Sequence, residues 1–298
     1  MLKRRGFTLV ELLVAIVLLA LVGVTLMKVM NRMLRVTTAQ VQLANSQGNA
    51  RTGTLAIPQE LREIGYDTIP LAGQAVTDLE DIQPNRITFR AMRGVGITCG
   101  TPTLTEFKIR YPLFGMRDPL PTDGFMLFVE GDPNLALDDT WAPMDVQAID
   151  YSSTCGADKA IKFTLGGAPQ VDPINGVDMA MSNFFVGAPV RWYERMEYGA
   201  VMDNGRAYIG ARSLSLGQGA LQPMIGPLSD TTGFALTYYD KDGNVLDPNS
   251  DDPLVVRSIG VNVIGATQGG ISLAASTNRA RSQSPVYTRV ALRNTLRP

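Results

Sequence analysis

Histidine does not occur anywhere in the 298 residues. Its absence removes the commonest general base, the usual partner of a Ser or Cys nucleophile, and the commonest metal ligand. Cysteine occurs only twice, at Cys99 and Cys155. Two thiols exclude a multi-cysteine metal centre. Outside the cytoplasm they could join as one disulfide, which stabilises by about 4 kcal/mol in the chain-entropy model; two buried free thiols are the alternative reading. Net charge is small as well. The formal value is −1, and loss of Lys3, Arg4 and Arg5 would take it to −4, so overall basicity gives no argument for nucleic acid or an anionic surface. Gly94-Val95-Gly96 and Gly269-Gly270 match no phosphate-binding loop and read as turns. No two carboxylates stand out as an acid–base couple. The sequence therefore points to no enzyme and calls for no cofactor.

What is present is a chain long enough for one large domain or two small ones, with hydrophobic content of 45%, ordinary for a packed core. The 29 glycines and 18 prolines point to many turns. Its most informative stretch is the start, MLKRRGFTLVELLVAIVLLALVGVTLMKVM. A basic leader, Lys3-Arg4-Arg5, precedes Gly6. Residues 7–27 are almost wholly apolar, and as a helix they span roughly 31 Å, enough for a bilayer core. The basic flank keeps the leader cytoplasmic and sends the rest of the chain outside. Lys28, Arg32 and Arg35 follow the run, placed to snorkel toward the far headgroups. One carboxylate, Glu11, interrupts the apolar residues. A secretory signal has a shorter, uncharged apolar region and an A-x-A-like cut site after it; here Glu11 interrupts the run and no convincing A-x-A site follows. A plain signal anchor leaves Glu11 unexplained, because an acid in hydrocarbon costs about 2.5–3.5 kcal/mol.

Arg5-Gly6-Phe7-Thr8-Leu9-Val10-Glu11 resembles the processing motif of type IV prepilins and type II secretion pseudopilins. The resemblance implies a leader of residues 1–6, cut between Gly6 and Phe7 by a prepilin peptidase that also methylates Phe7. It implies that Glu11 neutralises the amino terminus of a neighbouring subunit. Physically, the cut leaves an ammonium at the bilayer edge. Glu11, one turn along, can meet such an ammonium from an axially displaced helix; each charge alone is costly in an apolar bundle, and the pair is tolerable. The expected partners are other pilins, the peptidase/methyltransferase and the inner membrane. The expected location is the inner membrane for the precursor, then a pilus on the cell surface.

The expected fold is α+β: a long N-terminal helix packed on an antiparallel β-rich head. Residues 7–27 would form its transmembrane half, 28–65 its outer half, and 66–298 the head. In 28–56 the apolar positions, such as Met33, Val36, Val41 and Leu43, are sparse. Gly48 and Gly53 should weaken the helix, Pro58 should open or kink a further turn, and Gly65 should stop it. Gly23 is the only helix-softening candidate within the membrane run. Strands are expected at 86–92, 106–111, 124–130, 146–151, 160–165, 190–198, 206–214, 234–239, 254–265 and 286–293. Asp240-Lys241-Asp242-Gly243-Asn244 reads as a hairpin turn. The stretches 66–85, 93–105, 112–123 and 166–188 read as long inserted loops.

A head of this size suggests a scarce minor subunit. Glu60-Leu61-Arg62-Glu63-Ile64-Gly65-Tyr66 is similar to the end of the helix in PilW-like minor pilins, which by resemblance take part in initiating the filament at its tip. A J-type minor pseudopilin of type II secretion, and a tip adhesin or DNA-binding pilin, stand as alternatives. Two further clusters bear on the latter. Asp240, Asp242, Asn244 and Asp247 are weak oxygen ligands for Ca²⁺, although the glycine falls too early for an EF-hand and a solvated turn is the simpler reading. Arg257, Arg279, Arg281, Arg289, Arg293 and Arg297 fall in a stretch without acidic residues, which opens nucleic acid as a partner; solvent-facing strand arginines are the commoner explanation.

Overall fold

The computed structural model describes residues 8–64, 69–71, 74–76, 78–103, 105–129, 140–167, 185–271 and 280–292. The chain is α+β, a long helix packed against antiparallel sheets. Helix α1 (Leu9–Arg62) runs unbroken for 54 residues, about 81 Å at the standard rise. It passes through Gly23, Gly48 and Gly53 without interruption. It also passes through Pro58, so no separate turn opens there. Pro58 is buried against the head, and that packing offsets the backbone hydrogen bond its ring removes. The helix ends at Arg62, where the Glu63 amide donates back to Glu60 and Leu61. The expected stop, Gly65, lies outside the described residues.

Every residue from Thr8 to Thr38 is exposed, and Ala39 is the first buried one. From there Ala39, Ser46, Ala50, Gly53, Ile57 and Leu61 form the head-facing stripe. Met33, Val36 and Val41 stay exposed. Small residues, not the scattered large apolar ones, therefore mark the packing face, because the helix backbone lies directly on the sheet. A Cβ on Gly265 would strike the Ser46 carbonyl oxygen, and one on Gly53 would sit 3.1 Å from Ile209 Cδ1. Ser46 Oγ meets Ser284 Oγ at 3.3 Å.

The head begins with a small hairpin, β1 (Ile69–Leu71) and β2 (Gln74–Val76). Then come β3 (Leu79–Gln83), β4 (Arg86–Thr98), β5 (Glu106–Gly115), β6 (Gly124–Val129), β7 (Thr140–Met144), β8 (Val146–Asp150), β9 (Thr154–Cys155), β10 (Asp158–Leu165), β11 (Pro189–Asp203), β12 (Arg206–Ser213) and β13 (Gln222–Ile225). All of these from β3 onward join one antiparallel sheet, whose main path is β13-β12-β11-β4-β5-β10-β8. A second sheet holds β14 (Phe234–Tyr239), β15 (Val245–Leu246), β16 (Ser258–Ala266) and β17 (Gln283–Ala291) in the order β15-β14-β16-β17. Helix α1 packs on β16 and β17 of this sheet. Tyr238 links the two sheets by donating to the Gln83 carbonyl at 2.9 Å.

Several stretches expected as loops are strand. Residues 79–83 form β3, β4 continues to Thr98, and β5 continues to Gly115. Glycines in these strands admit aromatic rings, and Gly94, expected in a turn, is one of them. Gly94 is the cross-strand partner of Trp192, and the indole fills the space a Cβ would need; Gly124 stands in the same relation to Tyr193. Glycine inside a strand marks such close approach. In the stretch 166–188, residues 168–184 lie outside the described residues. In 254–265, the first residues form a 3₁₀ turn, Pro253–Val255, ahead of β16.

Two apolar cores result. One lies between α1, β3, β4, β11, β12 and the second sheet, and contains Ile57, Leu61, Phe89, Ile209, Phe234, Val261 and Val263. The other is confined to the larger sheet and contains Phe107, Phe125, Phe163 and Trp192. There Phe107 stacks on Phe163 with centroids 4.6 Å apart. The long strand β11 runs through both, with Tyr198 in the first and Val190 and Trp192 in the second. An ionic chain crosses the same junction: Glu60 of α1, Arg93 of β4, Glu194 of β11, Arg117 and Asp123.

Candidate functional site

The described chain contains one helix long and apolar enough to cross a membrane, and its apolar half is covered by nothing in the structure. The chemistry of that half is concentrated at its first turn. Thr8 is the N-cap, in extended conformation, and its hydroxyl accepts the Glu11 amide at 3.3 Å. The Glu11 carboxylate reaches back. Its Oε2 accepts the Thr8 amide at 3.0 Å and the Thr8 hydroxyl at 3.1 Å. This is a reciprocal capping box, which satisfies two amides that a helix start leaves open. The negative carboxylate also lies at the positive end of the helix dipole.

The sequence reading gave Glu11 no intrachain partner. The signal for one was present, since Thr8-Leu9-Val10-Glu11 has the S/T-x-x-E spacing of a capping box ahead of an apolar run. Gly6 and Phe7, the expected cleavage residues, lie outside the described residues.

Cys99 and Cys155, 56 positions apart in sequence, are joined in a disulfide between the end of β4 and β9. A cavity of about 370 Å³ lies beside it, lined in part by Glu106, Phe107 and Lys108. Glu106 pairs with Lys162 at 3.7 Å, and Lys108 donates to the Thr154 carbonyl.

The acidic turn is held by its own backbone. Asp240 Oδ1 accepts the amides of Asp242 and Asn244 at 2.9 and 2.8 Å, and Oδ2 accepts the Asn244 side-chain amide. These bonds, the Asn244 side chain's first, hold the Asp240 carboxyl below its ordinary pKa. Asp247 accepts the Asn249 amide and side chain, and is lowered for that reason. Asp242 is exposed beside Lys241 at 3.4 Å. Among the described residues, no three acidic or sulfur ligands converge on a metal position.

Of the late arginines, Arg257, Arg281 and Arg289 are among the described residues, and Arg281 is exposed. Arg257 donates to the carbonyls of Leu254 and Val256. Arg289 donates to Ser258 Oγ and lies 3.8 Å from the Tyr239 ring centroid. Arg279, Arg293 and Arg297 lie outside the described residues.

Comparison with curated proteins and with solved structures finds no match to the chain. Residues 1–27 match the family described as the prokaryotic N-terminal methylation motif. The basic leader, Glu11 in its capping box and the uncovered apolar helix thus fall within the methylation motif of the type IV pilin and pseudopilin class.

Proposed function

We propose that the chain is a minor pilin of a type IV pilus. On this reading it is made as an inner-membrane precursor, cut between Gly6 and Phe7, methylated on Phe7, and built into the filament near its tip. The observation that carries the reading is the 31-residue exposed helix segment with Glu11 in its first turn, inside the methylation motif. The segment's apolar part, up to Met27, is unstable in water. It is covered by lipid before assembly and by other subunits' helices afterward.

The capping box supports a specific role for Glu11. Oε2 is engaged by Thr8, which holds the carboxylate near the helix start. Oε1 keeps its lone pairs for the ammonium of a neighbouring Phe7. Pairing the two charges offsets the cost of burying each in an apolar bundle, and so fixes register between subunits more than it adds stability. The PilW-like subtype rests on the large head and on the Leu61-Arg62-Glu63-Ile64 helix end, where Leu61 and Ile64 are buried.

Gly6→Ala should leave the leader attached. Glu11→Ala should be processed normally but enter filaments poorly; incorporation at the unsubstituted level would remove the charge-pair role. Deleting the gene should abolish surface pili with protein secretion intact. Loss of secretion with pili intact would favour a J-type pseudopilin instead.

A further inference from the structure

We propose that Lys28, Arg32 and Arg35 form a binding site for the phosphate headgroups of anionic phospholipids in the outer leaflet of the inner membrane, seated directly beneath the head. The proposal rests on the membrane-anchored reading above and goes beyond it by assigning a ligand to one side of one helix.

The helix-packing stripe supplies the first argument. Ala39, Ser46, Ala50, Gly53 and Ile57 face the head. Gln42 lies on the same line, its Oε1 accepting the Gly269 amide at 3.4 Å. Continued toward the membrane in steps of three and four residues, this line passes through Arg35, Arg32 and Lys28. Residues at those spacings lie one above another on one face. All three cations are therefore on the side of the helix from which the head overhangs.

Height supplies the second. Taking Met27 as the end of the apolar run, Lys28, Arg32 and Arg35 stand roughly 1.5, 7.5 and 12 Å above it. The headgroup layer is about 5–7 Å thick on each side. Side chains on a helix lean toward its N-terminus, which here is toward the lipid. Arg32 and Arg35 thus lean down into the layer that Lys28 already occupies. The first buried residue, Ala39, is roughly 18 Å above Met27, so all three cations lie exposed on the membrane side of the first contact with the head.

Charge supplies the third. No Asp or Glu occurs between Glu11 and Glu60. Lys28, Arg32 and Arg35 are exposed, and none has an ion-pair partner among the described residues. The natural counter-charge at this height is lipid phosphate. Once a cut after Gly6 removes Lys3, Arg4 and Arg5, the stripe becomes the main ionic hold on the membrane. Because it lies on one face, it also fixes how the helix is rotated and which side of the head overlies lipid.

The test uses the full chain with Lys3, Arg4 and Arg5 changed to Gln, so that the leader offers no competing cations, in mild detergent, with phosphatidylglycerol or phosphatidylcholine added and bound lipid counted by native mass spectrometry. Each cation near an anionic surface contributes about fivefold, so three together give a preference for phosphatidylglycerol on the order of a hundredfold. That preference should vanish when Lys28, Arg32 and Arg35 are all changed to Gln. It should survive Arg51→Gln, which removes a helix cation off the stripe. Equal binding of both lipids, or a preference that the triple variant keeps, overturns the proposal. Alkaline carbonate extraction separates the two readings. A chain that resists extraction but shows no preference refutes the lipid site alone, and release of the unsubstituted chain removes the membrane anchor and the lipid site together.

Discussion

Arg93 on β4 donates through Nη1 to Glu60 Oε2, in the last turn of α1, at 3.0 Å. Its Nε donates to Glu194 on β11 at 2.8 Å. One guanidinium therefore ties the helix to the two longest strands of the head. Burial opposes its charge, but the bond to Glu194 and the nearness of Glu60 outweigh burial and hold its pKa above the ordinary value. Arg93→Met should leave the largely buried Glu60 and Glu194 without their shared cation, with Glu194 keeping its longer contact to Arg117, 3.4 Å. The expected loss is about 3–5 kcal/mol, read from chemical denaturation of the chain in mild detergent. Glu60→Gln should cost less, because Glu194 still pairs with Arg93.

Acid should weaken the same junction. Burial raises the Glu194 pKa, but hydrogen bonds from Ser213 and Arg93 outweigh it, and the net shift is downward. A carboxyl whose folded pKa is depressed contributes stability that is fully present above its unfolded value, about 4.3, and is lost as pH falls through the folded value. Stability should therefore hold from neutral pH down to about 5 and then decline below about 4. Glu194→Gln should remove part of that decline. An unchanged acid limb would mean that Glu194 is not responsible.

Two glycines should respond to alanine in opposite directions. At Gly265 a Cβ would meet the Ser46 carbonyl of α1, which is backbone and cannot rotate away. Gly265→Ala should cost about 1–3 kcal/mol by overpacking. Gly48 is in the helix interior, exposed, with nothing near its Cβ position. Gly48→Ala should stabilise by about 0.5–1 kcal/mol. Thermal melts of the two variants in parallel would show whether the backbone contact is as close as described.

The disulfide should matter through the unfolded state. A crosslink between residues 56 apart is worth about 4 kcal/mol in the chain-entropy model. Cys99→Ser with Cys155→Ser should lower stability by that order, and a reducing agent should do the same to the unsubstituted chain. A melt unaffected by reductant would argue against this contribution.

The general plan was legible because its signals are strong and local. An apolar run with basic flanks reads as a membrane helix, and alternation located ten strands of the head. Misreadings clustered at glycine and proline. Gly94 resembles a turn residue because the ring that fills its space, Trp192, comes from a strand far away in sequence. Pro58 suggests the opening of a further turn because its compensation is tertiary burial. The packing face of the outer helix was hidden for a related reason: close contact needs small residues such as Ser46 and Gly53, which carry little hydrophobic signal. At the site, the motif marked Glu11 directly. The Thr8 cap is written in the Thr8-x-x-Glu11 spacing, but as a hydrogen-bond pairing it is not announced by the charge of Glu11.

The central claim is that the chain is processed within its methylation motif and carries Glu11 at the new helix start. Intact-mass and N-terminal fragment analysis of the protein isolated from its own cells tests this most directly. The account predicts a chain beginning at Phe7 with a methylated amino group, with residues 1–6 absent. A chain that keeps its leader, or one cut anywhere other than after Gly6, would contradict it.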